Sequence, residues 1–417
     1  MLGIPQSVQG SSRFSPSTLA LTGICALVYL LDGLIHSILG PLAPDVARTL
    51  HLADSQLGPI FSANLVGQLI GLVLIPVIST RVGQRAIVIA CVAGFGLTQG
   101  ATALAVSAGT MLTSRLVTGI FLGGCLPSCL ALVTEAAPPT RRGLTIMILF
   151  TGYGLGATLA GVIATAFPGT GGWRAAMWTV GGVCMVTATI SYLFMPAEPH
   201  TPHGELSGTE TSGRTRLREL LGSRYRVGTL MLWLLFMSML TISYCLSSWL
   251  PVLLVKVGRS ASTAALSVSI FSLGGIISAL GVGLLIDRFG AGRTLTTFMA
   301  VSTVLLFVLG RVIATASTSV LLALLAVCGF FVLGAYGGVN VTLALFYPAR
   351  LRAVGIGCTK SVGRIGTLVT PILIGWALGA GMPETAILSF FAVPALAALT
   401  ALAVLAVIGD RSGGDVP

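Results

Sequence analysis

Apolar residues run along this chain in twelve blocks, each about long enough to carry a helix across a bilayer and each closed by a short polar break. A spanning helix needs roughly 20 mostly apolar residues, since each residue rises about 1.5 Å and the hydrocarbon layer is about 30 Å thick. The pattern predicts spans over 18–41, 56–79, 86–106, 110–133, 143–166 and 173–195 in the first part of the chain. A second set covers 227–251, 263–286, 293–313, 318–342, 353–378 and 384–407. Of the 417 residues, 55% are hydrophobic and 8% charged, with mean hydropathy +0.98. No soluble core hides that much apolar surface, so lipid is the solvent and the fold class is an all-α membrane protein.

Residues 196–226 form the one long hydrophilic stretch, carrying Pro196, Pro199 and Pro202, a Gly/Ser/Thr run and five arginines. They read as a cytoplasmic linker between a six-helix half over 1–195 and another over 227–417. The halves repeat in register. Thr80-Arg81-Val82-Gly83 after the second span aligns with Asp287-Arg288-Phe289-Gly290 after the eighth, which also sets Gly67 on Gly274. Pro138 to Gly143 is answered by Pro348 to Gly355, with Arg141 on Arg352. Parallel six-helix repeats mark transporters whose substrate sits between the halves near mid-membrane. The 53 glycines fit such a design, because helices in lipid approach closely only over small residues.

The net charge of +11 would suggest nucleic acid in a soluble protein; here its distribution along the topology carries more information. With both termini in the cytoplasm, fifteen lysines and arginines fall in inner segments and five in outer ones, which fixes that orientation in a cell (inner or plasma) membrane. The eight cysteines lie within the spans, so a disulfide framework is not expected; Cys125 and Cys129 share a helical face without a nearby histidine and read as packing. No phosphate loop, HExxH or G-x-S-x-G element is present, and His36, His51, His200 and His203 are scattered. The reading is of no enzyme, no metal, no cofactor and no nucleic-acid partner. The polar first 17 residues precede an apolar run too long for a signal-peptide core, so the first span reads as uncleaved.

Ionisable residues inside a membrane are costly and mark function. Asp32 lies about 14 residues into the first span, roughly 20 Å from its cytoplasmic end, where a carboxyl can load a proton from one side and release it to the other. His36 follows one turn later on the same face. Arg115, in the outer part of the fourth span, is placed to pair with Asp32 or His36. Those three are the proton-coupling candidates; permanent helix-packing roles are the alternative. In the eleventh span Lys360 and Arg364 share one face, and two cations at low dielectric call for a negative partner such as a substrate carboxylate. Alternatively Arg364 ties to backbone carbonyls and Lys360 snorkels. Asn340 is a deep hydrogen-bonding group. Aromatic rings for a flat substrate are available from Phe61, Tyr153, Tyr244, Phe271 and Tyr336, although such residues also pack apolar helices. Glu135, beside Arg141 and Arg142, reads as a gate or structural acid.

Gly283-Leu-Leu-Ile-Asp287-Arg288-Phe289-Gly290 resembles the GxxxDRxG loop of the major facilitator superfamily, and Arg115-Leu-Val-Thr-Gly119-Ile-Phe-Leu-Gly123 resembles its RxxxGxxxG element. The resemblance implies the major facilitator fold, twelve helices in two pseudo-symmetric halves, and assigns Asp287, Arg288 and Arg81 to the cytoplasmic gate. The first copy of the loop is degenerate, with Thr80 in place of the acid and Gln84 in place of an arginine. Leu31-Asp32-Gly33, Leu57 to Ala63, Tyr347 to Arg352 and Gly363 to Gly366 are similar to the aromatic acid/proton symporter branch. That branch commonly carries a second aspartate where Ile35 stands here, so coupling or cargo is expected to differ. The resulting expectation is a monomeric importer of a small organic anion with protons. A drug or metabolite exporter is disfavoured by the lack of a glycine-proline element late in the fifth span; an organic anion exchanger would also suit Lys360 and Arg364.

Overall fold

The computed structural model describes residues 16–138, 141–169, 171–196, 219–222 and 225–411. Among them the chain is helical throughout its regular structure. The first six helices are α1 (Pro16–Thr49), α2 (Asp54–Val82), α3 (Gln84–Thr102), α4 (Ala108–Ala136), α5 (Arg142–Ala166) and α6 (Gly172–Phe194). They are followed by α7 (Arg226–Lys256), α8 (Ala261–Phe289), α9 (Ala291–Val312), α10 (Thr318–Phe346), α11 (Ala349–Gly379), α12 (Glu384–Phe390) and α13 (Ala392–Arg411). Twelve segments are long and apolar enough to span a membrane, α12 and α13 together forming the last. Most of the expected linker, 197–218 and 223–224, lies outside the described residues.

Several helices run past the apolar limits set by hydropathy. The span expected to stop at 41 continues to Thr49 through Pro41 and Pro44, and that expected to stop at 251 continues through Pro251 to Lys256. Hydropathy locates the hydrocarbon layer, whereas the backbone ladder continues until a turn supplies other acceptors. Three ends close in the same way. The Leu52 N–H reaches the Ala47 carbonyl at 2.9 Å, Arg259 reaches Leu254 at 2.9 Å and Met382 reaches Ala377 at 3.0 Å. The residue before each donor has positive φ: His51, Gly258 and Gly381. These are Schellman closures, with a histidine standing once in the usual glycine place.

The chain forms two compact units, and α1, α2 and α5 each change unit along their length. The first comprises Met1–His36, Ala63–Leu159 and Gly171–His203; the second Ser37–Ser62, Ala160–Thr170 and Gly204–Pro417. Within the first, α2 and α4 meet backbone to backbone: a Cβ on Gly67 would strike the Leu116 carbonyl, and one on Gly119 the Asn64 carbonyl. Within the second, α8 and α10 repeat this packing, with Gly274 on the Ala326 carbonyl and Gly329 on the Phe271 carbonyl. Glycine and partner carbonyl correspond at both crossings, so the Gly67/Gly274 register is a packing register. In the first unit Gly152 rests on the Ala26 carbonyl and Gly156 on that of Leu30; in the second Gly363 rests on Phe236 and Leu240. That correspondence places Arg364 where its counterpart helix carries Tyr153. One detail of the repeat differs from the alignment: Arg352 donates from Nε to the Tyr347 carbonyl at 3.3 Å, and the residue making the same contact five positions back is Arg142, to Ala137 at 3.4 Å, rather than Arg141.

Candidate functional site

In the first unit Asp32 is 8% exposed on α1, one turn from Tyr29, whose hydroxyl is buried without a hydrogen-bond partner. The next turn carries His36, half-buried, with Nδ1 at 3.2 Å from Gln68 Nε2 on α2 and its ring 6.1 Å from that of Tyr153 on α5. Close approach of α5 is possible because Gly33, between the two ionisable residues, lies against the Tyr153 backbone. A side chain there would push α5 away and remove the ring from His36.

Arg115 is 1% exposed. It reaches α1 at the Ile35 carbonyl, to which Nη2 donates at 2.9 Å, while Nη1 donates to Gln99 Oε1 at 2.8 Å. The Gln99 amide in turn contacts the Met177 sulfur at 2.8 Å. A buried guanidinium is tolerable only with acceptors around it, and a neutral amide and a main-chain carbonyl provide two here. Its Nε has no partner. Gln68 and Gln99 were missed by sequence reasoning, although the argument that selected Asn340, a deep amide that lipid would penalise, applies to both.

In the second unit Lys360 and Arg364 share a face of α11, Lys360 exposed and Arg364 half-buried. Arg364 lies within electrostatic reach of Lys360 and of Tyr336 on α10. The Tyr336 ring packs on Phe236 of α7 at 5.7 Å, and Gly363, adjacent to Arg364, sits against that same Phe236. Two cations and an aromatic pair are therefore brought together from three helices. Asn340 donates to the Tyr336 carbonyl at 3.0 Å, one turn back on its own helix. Among the other aromatic residues, Phe61 packs edge-on to Trp249 at 5.3 Å and Phe271 is fully buried.

The gate candidates occupy helix ends. Arg81 closes α2, Glu135 lies in the last turn of α4, and Asp287 and Arg288 end α8; all four are exposed. Arg288 lies 5.3 Å from the Phe289 ring centre. The side chain of Thr80, which stands in place of the acid in the first copy of the loop, lies outside the described residues.

A twelve-span, all-helical chain built from two copies of one glycine-mediated packing, with charged groups held inside its spans, is a polytopic membrane transporter by architecture. The chain belongs to the Major Facilitator Superfamily, whose sequence model matches residues 25–371; its members are transporters and not enzymes. It is similar to the gallate transporter of Pseudomonas putida, 29% identical and covering 92% of this chain and 90% of that one. It is likewise similar to the 3-(3-hydroxy-phenyl)propionate transporter of Escherichia coli (strain K12), 32% identical over 88% and 89% of the two chains. These relatives place it with the aromatic acid transporter branch. A solved D-xylose-proton symporter has the same fold, with TM-score 0.72 at 18% identity over 92% of this chain and 97% of that one.

Proposed function

We propose that the protein is a proton-coupled symporter that imports a small aromatic carboxylate by alternating access in the cell (inner) membrane, with both termini cytoplasmic, working as a monomer. The observation that carries this reading is the convergence of Lys360 and Arg364 with the Tyr336–Phe236 ring pair in one unit. A guanidinium offers a planar fork to a carboxylate, and adjacent rings offer a flat apolar surface to the arene. Relatives named for gallate and 3-(3-hydroxy-phenyl)propionate transport cargo of this shape and charge.

The proton belongs to Asp32 and His36. Asp32 is buried on α1 and His36 is oriented by Gln68 and Tyr153 one turn away. Arg115 holds the intervening Ile35 carbonyl and so fixes the helix between the two. Asp287, Arg288, Arg81 and Glu135 act at the cytoplasmic gate, and the uneven distribution of lysine and arginine sets the orientation. Asn340 steadies the Tyr336 turn of α10.

The test is uptake of radiolabelled gallate and 4-hydroxybenzoate by proteoliposomes under an imposed pH gradient, acid outside. Accumulation above equilibrium that a protonophore abolishes is the expected result. Uptake that ignores the gradient and requires an internal anion would replace symport with exchange.

A further inference from the structure

Of the two close ion pairs among the described residues, Arg48–Asp45 lies within one helix and the other joins helices far apart in the chain. Lys256 Nζ donates to Asp54 Oδ2 at 2.7 Å, joining the last residue of α7 to the first of α2 across 202 positions of sequence. We propose that this pair is a latch that closes the outer ends of α1 and α2 against α7 and α11, and that it opens when substrate enters from that side. The assignment to the outer face rests on the orientation proposed above.

Each charge suits its own helix terminus, acid at the start of α2 and base at the end of α7, so both remain favourable when the pair is broken. The side chains are 26% and 32% exposed. An exposed pair shifts an equilibrium by no more than about fivefold, which suits a contact remade in every cycle.

Beneath the latch, the seam is made of small residues and backbone. Gly375 lies against the Asp54 carbonyl, Gly58 against the backbone of Pro371 and Ile372, and Gly40 against that of Ser247 and Ser248. The Ser62 hydroxyl donates to the Leu368 carbonyl at 2.8 Å. These contacts part without extracting interlocked side chains; the Phe61–Trp249 ring pair is the large side-chain contact of the seam. Trp249, packed on Phe61 within the same seam, is fully buried with its indole N–H unpartnered. An unpaired donor penalises the closed arrangement and is relieved once water enters, so closure depends on holding contacts elsewhere, and among the described residues Lys256–Asp54 is a charged one.

The experiment uses the full chain with a reporter thiol at Ser62→Cys and, independently, at Ser247→Cys, in right-side-out vesicles treated with a membrane-impermeant maleimide. Vesicles without the reporter give the background from the eight native cysteines. Asp54→Asn and Lys256→Met are expected to speed labelling at both reporters about threefold to fivefold, and the double reversal Asp54→Lys with Lys256→Asp to return it to the parent rate. Unchanged labelling in both single variants, in right-side-out and inverted vesicles alike, overturns the latch. Faster labelling confined to inverted vesicles supports the latch and overturns the orientation. Labelling needs no substrate, so its outcome is separate from that of the uptake assay.

Discussion

Gly83 after α2 and Gly290 after α8 hold the same backbone conformation, φ 86 and ψ 155 in one and φ 83 and ψ 151 in the other. Only glycine enters that region without strain. The two turns kept their backbone although their chemistry diverged, Thr80 standing where the second copy has Asp287. Replacing either glycine by alanine is expected to cost about 1–3 kcal/mol, read as a lower unfolding midpoint in detergent. An unchanged midpoint for both would show that the turns relax freely.

Helix crossings should be as intolerant in one half as in the other. Gly119→Val and Gly329→Val each force a side chain into a facing carbonyl, of Asn64 and Phe271 respectively. Overpacking of this kind costs at least about 1–3 kcal/mol, and both variants should lose the monodisperse peak of a fluorescent fusion on size exclusion. Gly182 has nothing within 4 Å of its would-be Cβ. Gly182→Ala should keep the peak and gain up to about 1 kcal/mol, as expected for an unhindered helical glycine.

Asp32→Asn keeps the size and most of the hydrogen-bonding capacity of the side chain but removes its titratable proton. Accumulation driven by a pH gradient should be abolished, with surface expression intact and exchange of internal for external substrate retained. Normal pH-dependent accumulation by this variant would remove Asp32 from coupling.

Arg364→Ala should weaken binding of an aromatic acid by about 10-fold to 150-fold, the range for losing a hydrogen bond to a charged group. Scintillation proximity binding to purified protein measures it. Arg364→Lys restores charge without the fork and should recover part of the affinity; full affinity in Arg364→Ala would assign the carboxylate to another group.

The sequence alone determined where the chain crosses the membrane, that it is a repeat, and which ionisable residues its spans carry. Hydropathy and glycine spacing are local properties, and lipid forces every apolar run of sufficient length into a helix. What only the tertiary structure decided was which partner each polar group found. Helix order puts Arg115 within reach of the first span, and folding sets its guanidinium on Gln99 and the Ile35 carbonyl. Asp54 and Lys256 each read as ordinary helix-end charges until folding brings them to 2.7 Å. Partner choice depends on the rotation of each helix about its axis and on how closely its neighbours approach. Both are fixed by glycine-to-carbonyl crossings between segments far apart in the chain, a relation that a one-dimensional pattern does not contain.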